Sequence, residues 1–409
     1  MINKEPILNI GIILPDDKRK KVSFFFSNPE NYEIKYQDSK KSHPTENLTV
    51  SINDGDMEIT KLKKEEKISE ITIHDVPAGR NFHWKKMINV NLPGDIQIKR
   101  YEDFLIIINK VKIEDYLACV AVSEMSSSCP DEFLIAQIIT ARSWILAGTE
   151  KKHLDLGIDA CNDDCCQRYQ GIEQQNSHSL GAIKKTQGIV LTYGNEICDA
   201  RYSKSCGGIT ENCENVWEME PKPYLKSIFD GMDNDQKVDW GKWITQSPNT
   251  FCSPKFIDEN SLIKFLGDVD EDGQYFRWNV HFTQKEFCEF FSKKVNENVS
   301  LIKKFNTINR GKSGRINTLN LEYQLDDGSE KSFKLHNEYD IRKMLHPSFL
   351  FSSSFIPNVS ETQIEFKGAG WGHGVGMCQI GALGMALNGY SADKILSHYF
   401  QNSSMKKLY

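Results

Sequence analysis

Short apolar runs alternate with charged turns through the first hundred residues of the chain. Examples are LNIGIIL, VSFFF, LTVSIN and ITIHDV, and Asn, Asp and Gly lie between them. Apolar alternation bounded by turn residues is typical of β-hairpins. The pattern therefore predicts an N-terminal β-rich region over residues 1–95.

The pattern changes after an apolar strand predicted at Phe104–Val111. Apolar residues at helical spacing over Ile113–Val122 predict a first helix. Pro130 can open a second helix, since the first helical position needs no backbone N–H, and Gly148 can end it. A polar connector containing Ser, Glu and Met separates the two helices.

Helices and strands are mixed through the rest of the chain, so the fold class predicted is α+β. We expect a mixed core of strands and helices, interrupted by a central α+β insert. The predicted segments are 1–95 (N-terminal β-rich region), 96–215 (first part of the core), 216–360 (insert or substrate-binding subdomain) and 361–409 (C-terminal part of the core).

Composition and charge argue against two classes of protein, nucleic-acid-binding proteins and proteins with a membrane-spanning helix. The chain has 409 residues, a net charge of −6 and a pI near 6.0. An acidic balance argues against a general nucleic-acid-binding surface. No segment approaches the ~20 apolar residues of a membrane span, and the N-terminus shows no secretory pattern. A chain trimmed of its signal peptide would look the same.

Three cysteines crowd into the segment DACNDDCCQRYQG, residues 159–171, as Cys161, Cys165 and Cys166. His153 lies eight residues upstream and could complete a tetrahedral set, and Cys/His sets suit structural zinc. The spacing is not a CxxC knuckle. Disulfides in an exported protein, or free thiols, explain the same residues, and the spacing leaves the three alternatives open.

Glu124 lies at the junction of the two predicted helices. A partly desolvated carboxyl group there could donate a proton near neutral pH. The alternative is an ordinary surface glutamate in a loop, and position alone does not decide between them. No second carboxylate can be paired with Glu124 at the spacing that a hydrolytic glycosidase needs.

Two further segments could present groups to a polar ligand. One is RYSKSCGG, residues 201–208, which carries several hydroxyls. The other is GAGWGHGVGMCQIGALG, residues 368–384, whose glycines would let a ligand approach the backbone closely. An ordinary sheet edge would explain the first segment equally well.

Taken in order, four segments resemble the SpoIID/LytB family of bacterial cell-wall proteins. They are IEDYLACVAVSEMSSSCPDEFLIAQIITARSW, DACNDDCCQRYQG, GIVLTYGNEICDARYSKSCGGITENCENVW and GAGWGHGVGMCQIGALGMALNGYSADKILSHYF. The similarity is dense over residues 101–230 and 364–408. Four motifs in the family's order are much more specific than any one alone.

The resemblance implies a lytic transglycosylase that cleaves the MurNAc–GlcNAc bond of peptide-stripped peptidoglycan strands. Glu124 matches the family's catalytic glutamate, acting first as acid and then as base. The positions that match substrate-binding residues are Arg142, Tyr202, Ser203, Ser205, Trp371, His373 and Gln379. By the same resemblance, His153, Cys161, Cys165 and Cys166 fall near the ligands of a structural Zn²⁺ ion.

Four residues depart from the family pattern, and one of them is Cys165, where the family usually has histidine before the last cysteine. A family lysine is Ile135 here, the serine after Gly-Met is Cys378, and the proline after Ser-Glu-Met is Ser126. Loss of the lysine favours the alternative function, a non-catalytic glycan-binding protein that stimulates a cell-wall amidase. A zinc-stabilised module without a glycan role is a third alternative. A peptidoglycan substrate implies a location in the cell envelope.

Overall fold

The computed structural model describes residues 4–37, 40–62, 71–80, 82, 85–149, 152–232, 238–267 and 274–409. The chain forms two compact units. Unit 1 comprises Met1–Asp199, Lys264–Asp270 and Met405–Tyr409, and unit 2 comprises Ala200–Ile263 and Glu271–Ser404. Both units mix helices and strands, which confirms the predicted α+β class.

The first part of the chain supplies most elements of unit 1. In chain order they are β1 (Ile7–Ile13), β2 (Lys21–Phe26), β3 (Tyr32–Tyr36), β4 (Lys41–Ser42), β5 (Asn47–Ser51), β6 (Met57–Lys61), β7 (Ile71–Ala78), β8 (Lys86–Asn91), β9 (Asp95–Tyr101), β10 (Phe104–Lys112), α1 (Ile113–Glu124), α2 (Asp131–Ala147), β11 (Ala160–Cys161), α3 (Ser177–Thr186), β12 (Ile189–Tyr193) and β13 (Glu196–Ile197).

The remaining elements belong to unit 2, except the last strand, which returns to unit 1. In chain order they are β14 (Tyr202–Ser203), α4 (Trp240–Trp243), α5 (Glu259–Leu262), β15 (Arg277–Thr283), α6 (Gln284–Val295), β16 (Val299–Arg310), β17 (Ile316–Leu325), β18 (Glu330–His336), α7 (Glu338–Met344), β19 (Phe355–Val359), β20 (Gln363–Ala369), β21 (Met377–Cys378), α8 (Gln379–Leu387), α9 (Ala392–Tyr399) and β22 (Ser404–Lys407).

Three sheets build unit 1. The largest has the strand order β11-β1-β10-β9-β6-β3-β4, beside the sheets β5-β2-β7-β8 and β13-β12-β22. The N-terminal hairpin pattern is thus confirmed as β structure. β10 continues directly into α1, and β11 lies parallel to β1 with Cys161 opposite Gly11. The large sheet therefore fixes the start of α1 and the first cysteine of the 159–171 segment.

The helices α1 and α2 begin and end close to the positions predicted. Gly148 ends α2 in the left-handed conformation at φ 57°, as a C-terminal glycine can do without a steric cost. Pro130 is the residue before α2 rather than its first residue. Both helices are buried on nearly all sides, so they form the interior of unit 1.

A buried ion pair joins α1 to α2. The guanidinium of Arg142 is fully buried and donates to both carboxylate oxygens of Glu114, at 3.0 and 2.6 Å. Arg142 also donates to the carbonyl of Ile189, at the start of β12. The same carboxylate accepts hydrogen bonds from the amide of Gly188 and the hydroxyl of Tyr409. The Glu114–Arg142 pair and its hydrogen bonds therefore connect α1 and α2 to the start of β12 and to Tyr409.

Unit 2 has its own apolar core. It lies among α6, α7 and the sheets β15-β20-β19 and β16-β17-β18, and aromatic residues such as Phe287, Phe291 and Phe366 dominate it. Thr283 begins α6 with a reciprocal capping box to Glu286. No helix among the described residues is long and apolar enough to cross a membrane.

Replacing Arg142 by Met should destabilise unit 1 strongly. The variant leaves the Glu114 carboxylate buried without its partner, and such losses cost about 3–5 kcal/mol. Urea denaturation followed by circular dichroism measures the effect. Arg100→Met, on an exposed side chain of β9, is the control and should stay within about 0.5 kcal/mol of the parent. Weakened glycan binding at unchanged stability would instead support the predicted substrate contact.

Candidate functional site

Glu124 is the last residue of α1, and its side chain is buried. Only 7% of the residue is exposed, and Oε1 accepts a hydrogen bond of 3.0 Å from the backbone amide of Arg168. Met125 turns to an extended conformation and forms a β-bridge with Leu266, which ends the helix. A buried carboxyl group with a fixed hydrogen bond is not an ordinary surface glutamate.

The 159–171 segment packs directly against α1. Tyr116 donates to the side chain of Gln167 at 3.0 Å, and the amide of Gln170 donates to the hydroxyl of Ser123 at 3.1 Å. Together with the bond from Arg168 to Glu124, these contacts run along one side of the helix. The structure therefore brings two separately predicted features, the glutamate and the cysteine-rich segment, to one place.

Sequence reasoning missed Asp164 and Arg168. Arg168 donates from Nε to Asp164 Oδ1 at 2.6 Å, while Asp164 Oδ2 is shielded from solvent and has no hydrogen-bond partner among the described residues. Burial raises the pKa of Asp164 to about 8, against the opposing charge of Arg168. No sequence signal identifies Arg168, because the group that contacts Glu124 is a backbone amide that every residue except proline carries.

The four predicted metal ligands converge. One ligand atom from each of His153, Cys161, Cys165 and Cys166 lies within 4.8 Å of all the others. The Cys161 and Cys165 sulfurs are 3.0 Å apart, too far for a disulfide, and all three cysteines are thiols. A hydrogen bond from Cys161, then one from Cys165, lowers the pKa of Cys166 to about 4. Three soft sulfurs and one imidazole are a donor set typical of a tetrahedral metal ion, which would hold the sulfurs further apart, at about 3.8 Å.

The predicted substrate-binding residues fall into different environments. Arg142 lies inside unit 1, where the ion pair with Glu114 favours a structural role for it. The others belong to unit 2. There β14 runs parallel to β21, with Tyr202 opposite Met377, and Ser205 exchanges two backbone hydrogen bonds with Trp371.

Ser203, Ser205 and Gln379 are buried, whereas Tyr202, Trp371 and His373 are partly exposed. The hydroxyl of Ser203 accepts a hydrogen bond from the amide of Gly374. Ser203 and Ser205 therefore brace the backbone of the glycine-rich segment, and the partly exposed residues offer groups to a ligand.

Aromatic and basic groups surround Trp371 and His373. Trp371 stacks on Phe351 at a centroid distance of 4.2 Å, and the His373 ring meets Trp217 edge-on at 4.8 Å. The guanidinium carbon of Arg201 lies over the Trp217 ring, 4.0 Å from the ring centroid. Burial, and next the charge of Arg201, hold the pKa of His373 well below its usual value, so the imidazole is neutral at neutral pH.

Close approach to a ligand does not explain the glycines at positions 374 and 376. Both have positive φ, and the space a Cβ would occupy is filled by the chain itself. At Gly374 the obstacle is the guanidinium of Arg315, and at Gly376 it is the carbonyl of Arg201. These two glycines are required by internal packing, which corrects the expectation that they open the backbone to a ligand.

Two family models match the chain. Residues 101–193 match the family described as stage II sporulation protein (SpoIID), and residues 211–376 match a domain of unknown function, DUF8618. The first match contains α1, α2, Glu124 and the four candidate metal ligands. The second contains most of unit 2.

Several proteins are similar over most of this chain. An uncharacterised protein of Brachyspira hyodysenteriae is 27% identical, covering 75% of this chain and 70% of that protein. Stage II sporulation protein D of Bacillus subtilis is 25% identical, over 73% of this chain and 76% of that protein. The amidase enhancer of the same organism is 26% identical, over 70% of this chain and 39% of its own length. The predicted resemblance is thereby confirmed: residues 101–193 match the SpoIID family model, and most of the chain is similar to proteins named stage II sporulation protein D and amidase enhancer.

Proposed function

We propose that this protein is a lytic transglycosylase of the bacterial cell wall, located in the cell envelope, and that Glu124 is its catalytic residue. Relatives named for sporulation and for amidase enhancement support a role on peptidoglycan. The observation that best supports transglycosylase activity is the buried carboxyl group of Glu124, which accepts a hydrogen bond from the amide of Arg168. The bond cleaved is the one from N-acetylmuramic acid to N-acetylglucosamine.

The first step is proton donation. The Glu124 carboxyl group gives its proton to the glycosidic oxygen as the bond from that oxygen to C1 of the muramic sugar breaks. N-acetylglucosamine leaves with a free 4-hydroxyl group, and positive charge develops on the muramic ring. The carboxylate that remains on Glu124 stabilises this charge at short range.

The second step uses the same residue as a base. The Glu124 carboxylate takes the proton of the muramic C6 hydroxyl, and O6 bonds to C1. The product is a 1,6-anhydro end, Glu124 is protonated again, and no water is consumed. An internal nucleophile removes the need for a second carboxylate, so one buried carboxyl group suffices.

The fixed hydrogen bond explains how one carboxyl group can serve both steps. Oε1 accepts the hydrogen bond of the Arg168 amide, which fixes the direction of the carboxyl group in both steps. A backbone donor stabilises the negative charge but does not itself titrate. The buried position limits competition from water, so the internal hydroxyl is the nearest nucleophile.

We propose that the metal is zinc and that its role is structural. His153, Cys161, Cys165 and Cys166 would hold the ion, and a site with four protein ligands leaves no open position for chemistry. Cys166 lies two residues before Arg168. The ion would therefore fix the segment whose amide orients Glu124, in addition to closing the loop after β11.

The partly exposed residues Trp371, His373 and Tyr202 of unit 2 are proposed to contact glycan. An aromatic ring can stack on a sugar face, and the His373 ring, whose Nδ1 already accepts a hydrogen bond from the amide of Val375, can add a ring surface beside it. The buried residues Ser203, Ser205 and Gln379 are proposed to stabilise this part of unit 2 rather than to contact glycan. Arg142 is proposed to stabilise unit 1 through its ion pair with Glu114 and not to contact the glycan.

A glycan-binding protein that stimulates a cell-wall amidase is the second candidate. The relative named amidase enhancer favours it, as does Ile135 at the position of the family's lysine. In that case the wall would be bound, and an added amidase would release peptides faster, without any anhydro sugar.

Glu124→Gln should abolish product formation while preserving the fold. The amide keeps an oxygen that accepts from Arg168 but cannot donate and recover a proton, so anhydro-ended products should fall at least about 100-fold. The assay is mass spectrometry of soluble sugars released from amidase-stripped peptidoglycan. Glu196→Gln, at an exposed glutamate of β13, is the matched control and should keep full activity.

Equal product from the parent and Glu124→Gln would contradict the assignment of Glu124. Wall binding without any anhydro sugar from the parent would reject the transglycosylase in favour of the amidase stimulator. A purified amidase added to the same assay then tests that second candidate directly.

Replacing both Cys165 and Cys166 by Ser should remove one zinc ion per chain, measured by elemental analysis. Hydrogen exchange at the amides of residues 168–170 should become faster, because the segment loses its cross-link. Cys288→Ser, at a buried cysteine of α6 in unit 2, should change neither measurement. Equal zinc in the double variant and the parent would refute the site.

A further inference from the structure

Three cysteines and one aspartate form a second cluster, which lies wholly within unit 2. The members of this thiolate cluster are Cys206, Asp230, Cys252 and Cys378, and all four are buried. They come from four separate parts of the chain: the loop after β14, the segment before α4, a turn before α5, and the residue that begins α8. Nothing in the glycan chemistry proposed above uses them.

The spacing of the ligand atoms matches one metal ion. One ligand atom from each residue lies within 4.8 Å of all the others. The Cys206 and Cys252 sulfurs are 3.7 Å apart. Two sulfurs on a tetrahedral zinc ion with Zn–S bonds of about 2.3 Å lie about 3.8 Å apart, whereas a disulfide needs about 2.05 Å.

Backbone amides already point at two of the sulfurs. Cys378 Sγ accepts from the amides of Cys206 and Gly381, at 3.2 and 3.3 Å. Cys206 Sγ accepts from the amide of Gly208 at 3.3 Å. Cys378 is also the N-cap of α8, where the helix dipole favours a negative group. These donors stabilise thiolates, the form in which cysteine binds a metal.

The carboxylate of Asp230 is held in place at the cluster. Tyr399 donates to Oδ1 at 2.6 Å, and the amide of Cys252 donates to Oδ2 at 3.3 Å. The space for this carboxylate exists only because residue 381 is glycine, since a Cβ there would lie 2.6 Å from Asp230 Oδ2. Nε2 of His398 lies 3.6 Å from Oδ1, beyond hydrogen-bonding distance.

The buried guanidinium of Arg315 and the half-buried guanidinium of Arg277 offset part of the negative charge. Arg277 donates to the carbonyl of Gly207 at 3.0 Å, and Arg315 donates to the carbonyl of Cys206 at 3.3 Å. Neither arginine bonds to a cluster sulfur. They add positive charge beside the cluster while leaving the thiolates available to a cation.

We propose that Cys206, Asp230, Cys252 and Cys378 bind one structural zinc ion, separate from the ion proposed at Cys161–Cys166. Three thiolates select a soft divalent ion, and the carboxylate favours zinc over copper(I). Four buried protein ligands complete a tetrahedron, so the site is closed and supplies no catalytic position.

The position of the site indicates what it stabilises. The described residues between β14 and β15 contain only two four-residue α-helices, α4 and α5, and no strand. The backbone hydrogen bonds of this segment are mostly those of turns and isolated bridges, and not those of a sheet. An ion bound to Cys206, Asp230 and Cys252 would cross-link this segment to the N-terminus of α8.

Elemental analysis of the full-length protein and two variants tests the proposal. The Cys165→Ser/Cys166→Ser protein, which lacks the ligands in unit 1, should retain about one zinc ion per chain. Adding Cys252→Ser to that protein should remove it. Cys288→Ser in the same background, at a buried cysteine of α6 outside the cluster, is the matched control and should retain the ion.

Cobalt(II) substitution gives a readout that does not depend on stability. The protein that lacks the unit 1 ligands should show thiolate-to-cobalt charge-transfer absorption, and Cys378→Ser should weaken it. Absence of bound metal in that background would overturn the proposal. A Cys206–Cys252 disulfide found by mass spectrometry in freshly purified protein would also overturn it, as would a Cys252→Ser variant that keeps its zinc.

Discussion

The bidentate ion pair between Glu114 and Arg142 is the constraint on which unit 1 depends. A buried charge is tolerated only when its hydrogen-bonding groups are satisfied, and this pair is completed by groups from Gly188, Ile189 and Tyr409. The pair fixes α1 against α2 in both position and rotation. Glu124 lies ten residues further along α1, about 15 Å along the helix axis, and its direction is set by the same rigid element.

A second constraint acts at the other end of α1. The segment that holds the three candidate cysteine ligands also contributes the amide that contacts Glu124, so a metal ion bound there would also fix the orientation of the carboxyl group. Because Cys161 pairs with β1 and α1 continues from β10, neighbouring strands of one sheet deliver both partners. The catalytic proposal and the structural zinc proposal therefore share one piece of local architecture.

Local patterns predicted the elements that depend on local forces. The β-hairpin region, the bounds of α1 and α2, and the closeness of His153 to the three cysteines follow from alternation, helical spacing and ligand type. Contacts between distant residues were not predictable. Arg142 matches a family position expected to bind substrate but pairs with Glu114, and Gly374 is needed because Arg315 lies beside it. The thiolate cluster unites four segments whose spacing in the chain carries no signal.

In the proposed reaction, one carboxyl group activates an internal hydroxyl instead of water. The most direct measurement is digestion of peptide-stripped glycan in water labelled with heavy oxygen, followed by mass spectrometry of the new muramic ends. A lytic transglycosylase should give 1,6-anhydro ends that contain no label, since the new bond to C1 is formed by O6 of the same sugar. Reducing ends that carry one labelled oxygen would contradict the proposed reaction, because they would require an activated water and a second catalytic group beside Glu124.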